Sequence, residues 1–405
     1  MKPRFASKEF HFLKPDSDDH PPVQAPGIYF SDLVHQKTAA FSGFDQRLAA
    51  AKIPKNAFVC AAIQVAQTAT EPTLEKAREI FEACFHSVLD KDRGIWESLD
   101  PSAFVLVFWD YDDQQQAMDL LGSLKNKITH ALKTELLAGV AQFPFHDYTR
   151  SQVFASALKA LDHAAFFGPG TLRHFDGISL NISGDRLYHL ENHDAAIHEY
   201  EKGLALSPKD INLMNSLGVC YGMTGELEKA RQSFEAAMAI NPGEIMVVYN
   251  LGLIHQILDD MDRAVFFLRK AHGIDRNIFE VELLLGHLLF KAGKPDQALP
   301  HIETASLLNP ESSLAPRILG EIYLERRDLD RAGAAFNCAV KLRPSDPLSL
   351  SGYALVMALQ NRNLKIALTF AQRSVDLEPD TVLFRERLDQ VRQLAQAQDT
   401  PEIKQ

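Results

Sequence analysis

Five glycines recur every 34 residues, at Gly184, Gly218, Gly252, Gly286 and Gly320, and this period limits the possible folds more than any other feature. Five alanines keep the same interval at Ala196, Ala230, Ala264, Ala298 and Ala332. A third series, Pro208, Pro242, Pro310 and Pro344, is in phase with them. Arg276 stands at its missing beat, and Pro379 follows 35 residues after Pro344. Three residue types held in one phase mark stacked copies of a single supersecondary unit, each too small to bury its apolar face alone.

Each unit reads as two antiparallel helices, which in the second unit run over 211–222 and 227–239. Gly218, beside Leu217 and Tyr221, lets the first helix approach its partner closely, and Ala230 fills the same contact from the other side. Phe234 and Ala237 continue the apolar stripe of the second helix. Pro242 cannot continue that helix and ends the unit at Asn241. The set Leu217-Gly218, Tyr221, Ala230, Phe234, Ala237 and Pro242 resembles the tetratricopeptide repeat (TPR). Six units start at 177, 211, 245, 279, 313 and 347, the last carrying one extra residue before Ala367 and Pro379. The resemblance implies an all-α superhelical solenoid over 177–380. Residues 381–397 read as a polar amphipathic helix capping its open end, followed by a tail at 398–405.

The resemblance also implies where a ligand sits. In such stacks the first helices line a concave groove, and family geometry puts the second, fifth, ninth and twelfth residues of each on it. Here these include Asn212, Asn215, Tyr249, Gln256, Glu280, His287, Phe290, Arg317 and Glu321. Amide, aromatic and charged groups of this kind can bond an extended peptide or grip an amphipathic helix. Chaperone-binding members hold a C-terminal carboxylate in a Lys and Asn clamp. The matching positions here are Asn181 and Asp185, and an aspartate repels a carboxylate, so a chaperone tail is not expected.

Ahead of the repeats the pattern differs. Residues 1–54 read as a polar lead-in or linker, with Pro15, Pro21, Pro22 and Pro26 close to Asp16, Asp18 and Asp19. Phe58 to Ala66 is a short apolar run of the kind a buried strand shows. Residues 72–89 carry Leu74, Ala77, Phe81, Phe85 and Val88 at helical spacing. The segments 94–97 and 103–109 flank the turn Ser98-Leu99-Asp100-Pro101-Ser102 as a hairpin. A helix near 113–133, a strand at 136–143, a helix near 150–166 and a strand at 171–175 complete the order β-α-β-β-α-β-α-β. Its first six elements match the ferredoxin-like arrangement, which predicts an α+β domain over 55–176.

Within that domain, Ala138-Gly139-Val140-Ala141-Gln142-Phe143-Pro144 leads into a helix carrying Ala157-Leu158, Ala160-Leu161 and Ala164 and ending at Gly168. This segment and the element order resemble the diguanylate cyclase (GGDEF) domain. The chemistry of that family does not carry over. Active members place a metal-binding Asp at the end of the first strand, where this chain reads Ile63-Gln64-Val65-Ala66. The signature hairpin falls at Asp100-Pro101-Ser102-Ala103-Phe104, and only Phe104 matches. Pro101 and Ser102 supply neither the close backbone approach of Gly-Gly nor an acid for Mg²⁺. The span between first strand and hairpin is also shorter than in active members, removing a segment that grips substrate. Asp110, Asp112 and Asp113 read as the start of the next helix. A degenerate domain without enzyme activity is the expectation.

The remaining features narrow the function classes. A formal net charge of −11, with Lys and Arg scattered among carboxylates, weighs against nucleic acid as partner. No apolar stretch approaches the length of a membrane span, and Met1-Lys2-Pro3-Arg4-Phe5 does not lead into a secretory signal. Cys60, Cys84, Cys220 and Cys338 match no disulfide or zinc spacing, which fits a reducing bacterial cytoplasm. No nucleophile elbow, P-loop, dinucleotide or zincin motif occurs. His189, His193 and His198 read as surface histidines near an inter-helix loop, and Trp96 and Trp109 as packing residues of the hairpin. Neither cofactor nor metal is expected. The function implied is a scaffold or adaptor that holds a protein or peptide in the groove, with the front domain as a second interface, for homodimer formation. The alternative is a regulator whose front domain binds a guanine nucleotide or cyclic dinucleotide without turnover and so alters the groove's affinity.

Overall fold

The apolar run Phe58–Val65 forms β1, a strand at the centre of a five-stranded sheet, and all eight of its residues are buried. A strand covered on both faces needs no polar alternation, which is why the run reads as continuous. The computed structural model describes Phe12 and residues 28–36, 38–65, 71–89 and 92–399. They form two compact units, one within Lys14–Thr224 and the other within Gly225–Gln405 together with Phe12.

In the first unit the remaining strands are β2 (Gly94–Asp100), β3 (Ala103–Phe108), β4 (Leu136–Phe143) and β5 (Leu172–His174), in the order β2-β3-β1-β4-β5. β1 pairs antiparallel with both neighbours, Ala61 facing Leu106 on one side and Val140 on the other, while β4 and β5 run parallel. The two faces of β1 feed different cores. Val59, Ala61 and Ile63 pack with Phe81 and Phe85 of α3 (Glu71–Val88) and with Leu121, Leu124 and Ile128 of α4 (Gln114–Leu132). Phe58, Cys60 and Ala62 pack with Phe154, Leu158 and Leu161 of α5 (Arg150–Ala165). The order β-α-β-β-α-β-α-β expected from the sequence is the one observed.

The lead-in expected over 1–54 is in its later part helical. α1 (Ser31–His35) and α2 (Ala39–Ala50) lie against α5. Phe41, Phe44 and Leu48, at i, i+3 and i+7, bury one stripe of α2, and the Phe41 ring stacks on Phe154 at 4.7 Å. The buried Asp162 carboxylate accepts the backbone N–H groups of Phe30 at 2.6 Å and Ser31 at 2.9 Å, fixing the start of α1. The proline and aspartate cluster at 15–26 lies outside the described residues.

Helix pairs follow. The first unit contains α6 (Gly177–His189), α7 (His193–Leu206) and α8 (Ile211–Thr224). The second begins with α9 (Leu227–Ile240) and continues as the pairs α10 (Ile245–Ile257) with α11 (Met261–Ile274), α12 (Phe279–Lys291) with α13 (Pro295–Leu308), α14 (Leu314–Glu325) with α15 (Leu329–Leu342), and α16 (Pro347–Leu359) with α17 (Leu364–Leu377). The glycine period has a direct steric cause. A Cβ added at Gly184, Gly252, Gly286 or Gly320 would stand 2.4, 2.8, 2.5 or 2.7 Å from the residue sixteen places on, which is Tyr200, Leu268, Ile302 or Phe336. The in-phase alanines are all fully buried.

A further period appears only in the backbone. Glu191, Gly225, Asp259, Gly293, Arg327 and Asn361, again 34 apart, all have positive φ and reverse the chain between helices. Glycine does this freely, whereas the four non-glycine residues adopt it at a cost. The last helix, α18 (Val382–Asp399), buries Phe384, Leu388 and Val391 against α16 and α17 and keeps a polar outer face.

Candidate partner-binding face

The nine groove residues divide into three groups. Asn215, Tyr249 and Arg317 are 2%, 0% and 4% exposed and belong to the interior. Burial pushes the Tyr249 hydroxyl well above the ordinary tyrosine range. Arg317, on α14, faces Asp346 at 3.5 Å, and Asp346 caps α16 by accepting the Ser349 N–H at 2.9 Å. Arg317 thus ties one repeat to the next.

Glu321 is occupied within the array. Arg387 of α18 donates to both of its carboxylate oxygens, at 2.9 and 2.5 Å, and also to Ser351 Oγ at 3.2 Å. This two-pronged pair, largely out of water, fixes the capping helix to the face of α14.

Asn212 on α8 is exposed, and Gln256, Glu280, His287 and Phe290 are half-buried. The last three lie on α12 at i, i+7 and i+10, which puts them on one face. α12 contacts α14 and α14 contacts α16, so the first helices of successive pairs run side by side, as groove-lining helices do. Gln256 Oε1 is a buried acceptor with no hydrogen-bond partner among the described residues. A second concavity, about 750 Å³, opens between α11 and α12, with Met261, Val265 and Phe266 beside Arg269, Lys291 and Lys294.

In the sheet unit a smaller cavity, about 210 Å³, lies among Val140, Gln142, Phe145, Ser156 and His174. At the hairpin tip the Asp100 carboxylate accepts both the N–H and the hydroxyl of Ser102, at 2.6 and 2.8 Å, so it closes its own turn. Asp113 caps α4 by accepting the Gln116 N–H at 2.8 Å. Trp96 packs on Phe81 at 5.2 Å and Trp109 is buried. Of the first-unit positions compared with the chaperone clamp, Asp185 accepts the Tyr200 hydroxyl at 2.6 Å.

Sequence reasoning did not find the cluster of His272, Glu282 and His301, contributed by α11, α12 and α13. The Glu282 side chain is 1% exposed and accepts hydrogen bonds from both imidazoles. Burial alone would raise its pKa, but the bonds from His301 and His272 outweigh it and hold the carboxyl below its ordinary range. The residues stand 10 and 19 apart in sequence, so no local motif announces them.

Tetratricopeptide repeat models match residues 199–232, 247–278 and 283–347. No curated protein matches the chain. Among solved structures it is similar to the pilF protein of Pseudomonas aeruginosa, at 17% identity and TM-score 0.49, covering 52% of this chain and 95% of that one. It is similar also to YrrB, described as a TPR protein with an unusual peptide-binding site, at 20% identity and TM-score 0.41, covering 46% and 96%. A third is the Cut9–Hcn1 hetero-tetramer of the APC/C, at 19% identity and TM-score 0.46, where 53% of this chain spans 43% of the other. The chain carries tetratricopeptide repeats, and repeats of this kind generally mediate protein–protein interactions.

Proposed function

We propose that the protein is a scaffold whose repeats hold a partner peptide or helix on the face formed by Gln256, Glu280, His287 and Phe290. The observation that carries this reading is the division of the groove residues. Asn215, Tyr249 and Arg317 are buried and Glu321 is held by Arg387, while these four are half-buried on the first helices of successive pairs. Phe290 offers an apolar anchor, and Gln256 and Glu280 offer an amide and a carboxylate to a ligand backbone or a basic side chain.

The sheet order β2-β3-β1-β4, with antiparallel neighbours throughout, supports a ferredoxin-like reading of the front domain at 55–176. The Asp100 carboxylate is engaged in closing its own turn, which agrees with a cyclase-like domain without turnover. We assign this domain the role of a second, dimerising interface, in a bacterial cytoplasm. No observation favours the nucleotide-responsive alternative.

The test is selection of peptide ligands from a displayed library by the full chain. The selected ligands are then measured against a Gln256→Ala, His287→Ala, Phe290→Ala variant. Affinity falling at least tenfold with an unchanged thermal midpoint supports the assignment. Ligands that bind the variant as tightly as the parent chain refute it.

A further inference from the structure

The seam between the third and fourth helix pairs contains a feature that its neighbours lack. His272 lies in the last turn of α11, Glu282 in the first turn of α12, and His301 midway along α13. One repeat earlier the same three positions are Met238, Val248 and Phe267, and one repeat later Ser306, Pro316 and Ala335. The seam therefore forms without two imidazoles and a carboxylate, and packing alone does not call for them here.

Their geometry is that of a ligand set. His272 Nδ1 faces Glu282 Oε1, and His301 Nδ1 lies 2.7 Å from Glu282 Oε2. The imidazole rings meet edge to face at 4.9 Å, and one ligand atom from each of the three residues lies within 4.8 Å of the others. Glu282 is sealed in, whereas the side chains of His272 and His301 are 29% and 19% exposed, which leaves a route in from solvent. We propose that His272, Glu282 and His301 bind one divalent transition-metal ion of the Zn²⁺ class.

Two neutral imidazole nitrogens and one carboxylate oxygen suit Zn²⁺ and its neighbours, whereas Mg²⁺ and Ca²⁺ take oxygen ligands. Around a tetrahedral ion with ligands at ~2.0–2.1 Å, ligand atoms stand ~3.3 Å apart. The 2.7 Å pair must therefore open by roughly 0.6 Å, which the half-exposed rings can do while Glu282 stays anchored. Without an ion, each Nδ1–H donates to the carboxylate. On binding, each Nδ1 turns its lone pair to the ion and the ring proton sits on Nε2, with water completing the shell. Because the ligands come from three helices, the ion would clamp α11 to both helices of the following pair and stiffen one junction of the array.

The test uses the full chain stripped with a chelator and titrated with Zn²⁺ by calorimetry, beside His272→Gln, His301→Gln and Glu282→Gln. One equivalent should bind the parent chain and raise its thermal midpoint. Loss of a direct ligand should weaken binding by more than the ~10–100-fold that loss of a supporting partner costs. Co²⁺ at one equivalent should give the intense visible bands of a tetrahedral site in the parent chain alone. His272→Gln and His301→Gln alter half-exposed side chains, so they keep the test valid if Glu282→Gln fails to fold. Absence of a one-equivalent site, or parental affinity in both histidine variants, overturns the proposal.

Discussion

Replacing Gly139 by alanine adds one methyl group to β4 where α5 crosses it. That Cβ would lie 2.0 Å from Leu161 N, 2.3 Å from Ala157 O and 2.5 Å from the Ala160 carbonyl carbon, all backbone atoms that no rotamer change can move. Restoring an ordinary 3.4 Å contact from 2.0 Å needs α5 to retreat by 1.4 Å. A gap of even 0.5–1 Å forfeits roughly a quarter to a half of the dispersion energy of the atoms that face it. Here those atoms belong to Ala157, Ala160, Leu161 and Ala164, all buried. The cost should exceed the usual ~1–3 kcal/mol of overpacking and reach on the order of 3 kcal/mol or more. Gly43→Ala is the matched control. It lies inside α2 with nothing within 4 Å of the new Cβ, so the same change should stabilise by roughly 0.5–1 kcal/mol. Both tryptophans of the chain, Trp96 and Trp109, belong to the β2–β3 region, so fluorescence during urea unfolding reports on the sheet. With a slope of about 2 kcal/mol/M, the midpoint should fall by ~1.5 M for Gly139→Ala and rise slightly for Gly43→Ala. A Gly139→Ala midpoint equal to the parent's would refute the contact between β4 and α5.

Lys159 and Glu199 pair deep inside the first unit, where burial lowers the lysine pKa, and where the charge and hydrogen bond of Lys159 outweigh burial and hold the Glu199 carboxyl below its ordinary range. Glu199→Gln should cost roughly 3–5 kcal/mol and Lys159→Met with Glu199→Leu should recover most of it; equal losses in urea unfolding would count against the pair. Burial pushes the Asp162 carboxyl up to about 7, against the pull of the Phe30 and Ser31 N–H groups. Its folded pKa is above the unfolded one, so the unfolded chain loses this proton first. Its stabilising share is then complete below pH ~4 and lost as the pH rises towards 7, by at most ~1.4 kcal/mol per unit. A carboxyl carbon titrating below pH 5 by NMR would contradict this. Asp259→Gly and Arg327→Gly should each relieve up to ~1–2 kcal/mol of left-handed strain and raise the thermal midpoint, whereas Gly293→Ala should lower it. Shifts of the opposite sign would place the strain elsewhere.

What the sequence revealed follows the range of the forces involved. The 34-residue period was legible because each repeat solves the same local problem: Gly286 must pass Ile302 just as Gly320 must pass Phe336. β1 was legible because both its faces are buried. The helices at 31–50 were missed because the prolines at 15–26 outweighed the stripe Phe41, Phe44 and Leu48, which was there to be read. Groove depth was not legible. Family geometry gives the side of a helix on which Tyr249 or Arg317 lies, but not how far the next helix closes over it. Pairs such as Arg387 with Glu321, 66 residues apart, and the triad at His272, Glu282 and His301 depend on the superhelical arrangement of several repeats, which no single unit encodes.

That dependence bears on how the repeats divide their work. At the end of the array the capping helix uses Arg387 to occupy Glu321 and Ser351, so a partner reaching that end would have to displace a buried, two-pronged ion pair. At the junction of α11 with α12 and α13, polar groups are drawn into the seam instead of facing the groove. Beside these two commitments, α10 carries the half-buried Gln256, and α12 carries the half-buried Glu280, His287 and Phe290. On the proposed reading, recognition would then fall on helices whose neighbours are held by these pairs. A face built from rigid, well-supported helices loses little conformational entropy when it is occupied, and so keeps more of its contact energy as affinity.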